Sequence, residues 1–204
     1  MEELLAYYSK NLLEAGCDEA GRGCLAGPVV AAAVILNPKK PILGLNDSKK
    51  TNRAKRELLR DDIHVNSLAY GVGVVSNEEI DEINILNASF LAMHRAIDAL
   101  NDFIPEHLII DGNRFNPYKN VPFTCIVKGD TLYQSIAAAS ILAKTHRDEI
   151  MRQLDEEHNQ YDWKNNKGYP TSKHRSALKI HGKCSYHRDS FNLFGNNKQL
   201  DLFD

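Results

Sequence analysis

The apolar positions of this 204-residue chain change period along its length, and the changes mark its elements. Leu4, Leu5, Tyr8 and Leu12 fall close to one helical face, which predicts a short helix over 3–13. Apolar runs bounded by turn residues follow at 15–20, 28–36 and 67–75. The last places Leu68, Tyr70, Val72 and Val74 at every second position, so three successive strands are expected, arranged as a meander. Ser76 and Glu79 have the spacing of a capping box, in which each side chain satisfies the other residue's backbone N–H. Helical periodicity then runs over 78–99, with a break expected near 84–87.

Beyond residue 100 the pattern alternates. His107-Leu-Ile-Ile-Asp111 is a short apolar run closed by Gly112-Asn113, as in a strand buried on both faces, and 123–127 is a second such run. The longest helix is expected over 132–157, where Ile136-Ala-Ala-Ala-Ser-Ile-Leu-Ala143 is small enough in side chain to lie close against a sheet. Pro170-Thr171-Ser172 opens another helix, over 173–181. Strands first, then alternating helix and strand, predict an α/β fold: a mixed β-sheet flanked by helices, with a C-terminal helical segment. One domain over 1–192 is expected, followed by a tail at 193–204, and no internal repeat is visible.

A hydrophobic share of 43% is enough for a proper core. No stretch approaches the roughly 20 apolar residues needed to cross a bilayer, and the first residues, Met1-Glu-Glu-Leu4, are acidic, so a cytoplasmic protein that does not engage membranes is expected, as a monomer. Cys17, Cys24, Cys125 and Cys184 form no CxxC pair and read as free thiols. The net charge of −2 does not advertise a nucleic-acid binder, but its distribution is uneven. Residues 161–190 carry seven cations (Lys164, Lys167, Lys173, Arg175, Lys179, Lys183, Arg188) against Asp162 and Asp189, leaving the rest of the chain at −7. That division suits a protein that grips phosphates with one part and holds cations with another, although a solvated charged helix gives the same count.

Asp18-Glu19 ends the first expected strand and runs into Ala20-Gly21-Arg22-Gly23. A carboxylate at the end of an apolar strand is costly unless it is paired or coordinates a metal. Asp111 repeats the arrangement, and Asp130 stands after Lys128-Gly129 where the long helix is expected to open. Four carboxylates from three separated segments are a donor set suited to Mg²⁺ or Mn²⁺. Each has a plainer reading: Asp130 as a helix N-cap and Asp111 as a turn former before glycine. Asp18 and Glu19, as neighbours in a strand, point to opposite faces unless the strand is ending there.

Taken as an ordered series, the motifs are specific. Cys17-Asp-Glu-Ala-Gly-Arg-Gly23 with Gly27-Pro-Val-Val30 resembles the opening signature of the type 2 ribonucleases H. Leu45-Asn-Asp-Ser-Lys-Lys50, Ile109-Ile-Asp-Gly-Asn113, Lys128-Gly-Asp130 and Ile136 to Asp148 follow in the family's order, as do Gly168-Tyr-Pro-Thr171 with His174, and His187-Arg-Asp-Ser-Phe191. The resemblance spans about 14–191 and implies a ribonuclease H-like fold, with Asp18, Glu19, Asp111 and Asp130 as the metal-holding catalytic set and Mn²⁺ or Mg²⁺ as cofactor. It implies an endonuclease acting 5′ to ribonucleotides in RNA–DNA hybrids and in duplex DNA with embedded ribonucleotides, leaving 3′-hydroxyl and 5′-phosphate ends. Two cations about 4 Å apart would serve an in-line displacement. Such an enzyme would remove ribonucleotides from DNA and process RNA primers. Gly21, Arg22 and Gly23 correspond to the loop that contacts the ribose 2′-hydroxyl, and Tyr169 to the tyrosine beside the RNA-to-DNA junction. Lys49, Lys50, Lys144 and Arg147 are candidate phosphate contacts, which fix register without reading sequence.

Gln199-Leu-Asp-Leu-Phe203 resembles the short motif by which bacterial replication proteins dock on the DNA sliding clamp; packing on the parent domain is the alternative. Two rival classes keep parts of the pattern: a nuclease or transposase-like enzyme without 2′-hydroxyl recognition, and a silent nucleic-acid-binding module. The Gly21-Arg22-Gly23 loop and Tyr169 argue against the first, and the intact acids against the second. None of the histidines falls in a Ser-His-Asp or HExxH arrangement.

Overall fold

The computed structural model describes residues 4–45 and 53–195. Its centre is a five-stranded sheet in the order β3-β2-β1-β4-β5, built from β1 (Glu14–Ala20), β2 (Val29–Leu36), β3 (Ser67–Val75), β4 (His107–Asp111) and β5 (Phe123–Ile126). The first three strands pair antiparallel and β4 and β5 add in parallel to β1, so the expected mixed sheet and meander are found. Strand β2 is buried along nearly its whole length because helices cover both faces. Ala31, Ala33 and Ile35 pack toward α2 (Asn77–Asp98), while Ala32 and Val34 pack toward α1 (Arg53–Asn66) and α3 (Gln134–Glu157). A third apolar cluster holds α4 (Trp163–Asn166) and α5 (Ser172–His181) against the end of α3 through Met151, Tyr161, Trp163 and Leu178.

Two sequence signals act as expected. Ser76 caps α2 with both halves of the capping box made, and α2 breaks at Asn84 (φ 65°), whose side chain accepts the Leu86 and Asn87 N–H groups and restarts the helix. Thr171 caps α5, accepting the His174 N–H.

Three expectations are corrected. The segment before β1 is not the helix expected over 3–13: Leu5 bridges to Tyr133, and the Tyr8 and Ser9 N–H groups donate to the Glu14 carboxylate. Leu5 instead accepts the Gln134 N–H at 2.9 Å, satisfying an orphan donor at the start of α3, which its N-cap residue Tyr133 does not cap with a side chain. Helix α1 was not expected, because its buried stripe is only Leu59 and Ile63 amid seven charged residues along its length. Asp130 lies in a 3₁₀ turn, Gly129–Thr131, ahead of α3, so it is not that helix's N-cap.

Helix α3 can cross β1 closely because Gly16 has no side chain: a Cβ there would stand 2.4 Å from the Ser135 backbone. The same closeness puts the next α3 turn beside Asp18. All four cysteines are free, and no helix of the described residues is long and apolar enough to cross a membrane.

Candidate active site

Parallel pairing of β1 with β4 stops at Cys17 and Ile110, while β1 stays paired with β2 as far as Ala20. One side of β1 is therefore open from residue 18 onward, at the carboxyl ends of two parallel strands, where the sheet's order runs away in both directions. Such switch points are where open α/β sheets form ligand crevices. Asp18 and Asp111 are the first residues past the last pair, which brings carboxylates 93 positions apart in sequence to one mouth.

Asp18 is buried; its Oδ1 accepts the Glu19 N–H at 2.7 Å and its carboxyl is hydrogen-bonded by Ser140 of α3. Glu19 reaches the same mouth and accepts from Arg22 Nη1 at 3.1 Å. Asp111 Oδ1 accepts the Gly129 N–H at 2.7 Å, which ties the end of β4 to the turn carrying the buried Asp130. Burial, and then the charges of Glu19 and Asp111, push the Asp18 carboxyl well above the usual carboxylate range. Burial also raises Glu19, against the pull of Arg22, with Asp111 adding to the rise. Asp111 thus acts on both residues of the Asp18-Glu19 pair: the two share one electrostatic site even though they are neighbours on a strand.

Beside these acids lies a cleft of about 400 Å³ lined by Glu19, Gly21, Arg22, Gly23, Ser140, Lys144 and Tyr169, with Arg56 of α1 at its edge. Two buried arginines hold its floor. Arg147, 1% exposed, donates to the carbonyls of Ala26, Pro28 and Lys167. Arg188, wholly buried, donates to those of Arg22, Gly27 and Pro28. Their forks make five hydrogen bonds to the 21–28 loop and one to Lys167, and burial together with the nearby Arg147 charge lowers Arg188 to about 10. Gly21 (φ 102°) lies directly on Arg147, whose Nε would stand 2.1 Å from a Cβ there.

Tyr169 is positioned from beneath. Leu25 N–H donates to Gly168 O at 2.7 Å, and Gly168 (φ 80°) lets that backbone come so near Ala26 that a Cβ would stand 2.6 Å from its carbonyl oxygen. The Tyr169 hydroxyl is hydrogen-bonded to Cys24. Behind it, two buried imidazoles form a chain. The Cys184 N–H donates to His187 Nδ1, which leaves the proton on His187 Nε2 to face His174 Nε2 at 3.2 Å. His174 Nε2 also accepts from Trp163, so its proton is on Nδ1, toward the Tyr169 carbonyl at 3.0 Å. Burial first, and the His174 ring second, push His187 down to about 4, which keeps this chain neutral.

Sequence comparison gives the family. The family described as ribonuclease HII matches residues 15–194. Proteins named ribonuclease HII from Bacteroides thetaiotaomicron and Phocaeicola vulgatus are 61% and 59% identical over 199 residues, each alignment covering 98% of both sequences. The chain belongs to the ribonuclease HII family. Two solved structures share its fold: the PCNA:RNase HII complex from Archaeoglobus fulgidus, with TM-score 0.74 at 27% identity over 88% of this chain and 95% of that one, and the ribonuclease H2 from Pyrococcus horikoshii, with TM-score 0.71 at 26% identity over 89% and 94%. These neighbours establish the ribonuclease H-like fold that the motifs implied.

Within this ribonuclease HII fold, Gly21, Arg22, Gly23, Lys144 and Tyr169 come together in one cleft with Glu19; Asp18 and Asp111 converge next to it, and Asp130 is buried in the turn that Gly129 ties to Asp111. Lys49, Lys50 and the motif at 199–203 lie outside the described residues. Arg147 is a correction: its guanidinium is buried and committed to three backbone carbonyls, so it supports the cleft from beneath rather than facing a phosphate. The basic count over 161–190 is also partly internal. Arg188 is buried, Lys173 pairs with Asp162 at 2.9 Å, and Lys183 pairs with Asp189 at 2.6 Å. Sequence reasoning missed Ser140 and Arg56. Ser140 sits one turn before Lys144 on the same face of α3, a spacing that could have found it; Arg56 rides on the unexpected α1.

Proposed function

We propose that this chain is an endonuclease that cuts the RNA strand of RNA–DNA hybrids, and duplex DNA at embedded ribonucleotides, on the 5′ side of the ribonucleotide. The observation that carries this reading is that the Gly21-Arg22-Gly23 loop and Tyr169 line the same cleft as Glu19, beside the strand ends bearing Asp18 and Asp111. On this reading the residues that would meet a 2′-hydroxyl adjoin the carboxylates that would serve the chemistry.

Asp18, Glu19, Asp111 and Asp130 would hold divalent cations. Two features fit. The donors are all carboxylate oxygens, as Mg²⁺ and Mn²⁺ prefer. Burial and mutual repulsion raise Asp18, a state that a cation reverses. Held by these carboxylates, a divalent cation would supply polarisation of the scissile phosphate and a lowered pKa for the attacking water.

This chain's residues do the rest. The backbone of Gly21-Arg22-Gly23 approaches the ribose and bonds its 2′-hydroxyl, the group that separates RNA from DNA. Tyr169, 42% exposed, packs its ring on the sugar at the RNA-to-DNA junction. Lys144 takes a phosphate oxygen at the cleft wall, held in place by Asp148 at 2.5 Å. Products carry 3′-hydroxyl and 5′-phosphate ends, since a water rather than the 2′-oxygen attacks.

Chelation followed by end mapping tests this. Excess chelator is expected to stop cleavage and added Mn²⁺ or Mg²⁺ to restore it with 5′-phosphate products. Cleavage that persists in chelator, or a 2′,3′-cyclic phosphate product, would contradict it, because attack by the 2′-oxygen needs no divalent cation.

We propose in addition that Gln199, Leu200, Asp201, Leu202 and Phe203 dock on the bacterial DNA sliding clamp. The Archaeoglobus fulgidus relative, solved as a PCNA:RNase HII complex, supports the idea of a clamp partner. Phe203→Ala is expected to abolish co-elution with purified clamp; unchanged co-elution sinks the idea.

A further inference from the structure

Arg56 lines the cleft on one side and, on the other, a notch between α1 and α3 that also holds Arg53, Arg60 and Arg152. Arg53, Arg56 and Arg60 recur at helical spacing on one face of α1, and Lys144, Asp148 and Arg152 do so on the facing side of α3. Lys167, in the turn that leads to Gly168 and Tyr169, interacts with Arg53, Lys144 and Arg152, so cations from three segments share one strip running out of the cleft. Among the described residues, the opposing carboxylates within the strip are Glu57, which holds Arg53 at 2.8 Å and Arg152 at 3.6 Å, and Asp148, which holds Lys144. Arg60, at the outer end, is balanced by Asp61 and Glu149. Arg53, Lys144, Arg152 and Lys167 against Glu57 and Asp148 still leave a positive excess, on a chain whose net charge is −2.

Cations crowded across a notch repel one another unless an anion lies among them. Burial is the first reason the Lys167 ammonium sits below the usual lysine range, and the neighbouring Arg152, Lys144 and Arg53 add to the shift while Asp148 opposes it. The heads nonetheless reach solvent: Arg53 is 64% exposed, Lys144 36% and Arg152 27%. From Lys144 to Arg152 the helix rises about 12 Å. One strand of a duplex carries a phosphate per roughly 3.4 Å of axis, so the strip matches about three phosphates.

We infer that the phosphodiester backbone of bound duplex leaves the cleft over Lys144 and Arg56 and continues along Arg53, Arg152 and Lys167, outside the reacting position. This rests on the proposed function for the identity of the polyanion. The strip adds affinity without reading sequence or sugar, since its contacts are to phosphate alone.

Binding of a labelled all-DNA duplex to the full chain, in chelator and over a series of salt concentrations, isolates the strip from catalysis. Arg53→Ala with Arg152→Ala is expected to weaken binding on the order of tenfold at low salt, and to reduce the slope of log affinity against log salt by about 2. Lys39→Ala with Lys40→Ala removes two exposed cations at the opposite end of the sheet and is expected to change neither. Arg53→Lys with Arg152→Lys keeps the charges and is expected to retain most of the slope, which separates lost phosphate contacts from a damaged fold. An unchanged slope in the double alanine variant, or an equal loss in the Lys39 and Lys40 control, would overturn the inference. Strip-dependent binding by a chain that never cuts would instead defeat the proposed function and leave the strip standing.

Discussion

Asp111→Asn is expected to lower cleavage by roughly 10³-fold, about 4 kcal/mol of transition-state stabilisation, while leaving the protein folded and no less stable. The substitution is nearly isosteric, and an amide oxygen at that position can still accept the Gly129 N–H that Asp111 Oδ1 accepts at 2.7 Å, so the link from β4 to the Asp130 turn survives. What disappears is a charge and a cation ligand. That charge raises both Asp18 and Glu19, so without divalent cation its removal relieves repulsion, and the unfolding midpoint should stay level or rise. Loss of function with retained stability is the signature of a site that spends stability on chemistry. Rates and thermal unfolding measured on the same preparations check it. Activity within tenfold of the parent, or a fall in midpoint matching the fall in rate, would mean that Asp111 serves the fold rather than the reaction.

Arg147→Ala is expected to do the reverse and destabilise the chain by about 3–5 kcal/mol. The alanine strands the carbonyls of Ala26, Pro28 and Lys167 and leaves a cavity under Gly21; relief of the repulsion between Arg147 and Arg188 offsets only part of the cost. Arg147→Lys should recover little, because an ammonium cannot reproduce a planar fork shared by three acceptors. Denaturant unfolding measures the difference directly. A midpoint unchanged from the parent, with only weaker nucleic-acid binding, would restore Arg147 to the phosphate-contact role its sequence context suggests.

Arg147 also shows what the sequence could and could not convey. Between Lys144 and Asp148 on a helix, its charge reads as surface chemistry. Burial here depends on Gly21, Gly27 and Lys167, which the fold brings over it, and no local pattern encodes that. Strands β2 and β4 were legible because continuous apolar runs survive in a sheet covered on both faces, and the break in α2 was legible because Asn84 carries its own hydrogen-bonding solution. The segment before β1 misled because Leu4, Leu5, Tyr8 and Leu12 mimic a helical face while Glu14 and Tyr133 offer its backbone better partners. The convergence of Asp18 with Asp111 was legible only through motif order. Its physical cause, parallel pairing that ends one residue before both, is a matter of register.

The measurement that bears most directly on this site is single-turnover cleavage, in Mn²⁺ or Mg²⁺, of two duplexes of identical sequence that differ by one 2′-oxygen, one with a single ribonucleotide and one all DNA. The convergence of Gly21, Arg22, Gly23 and Tyr169 on the cleft beside the carboxylates predicts incision on the 5′ side of the ribonucleotide and none of the all-DNA duplex. Equal cutting of both would show that the loop does not recognise the 2′-hydroxyl, and binding of both without cutting either would show that the carboxylates do not form a working catalytic centre.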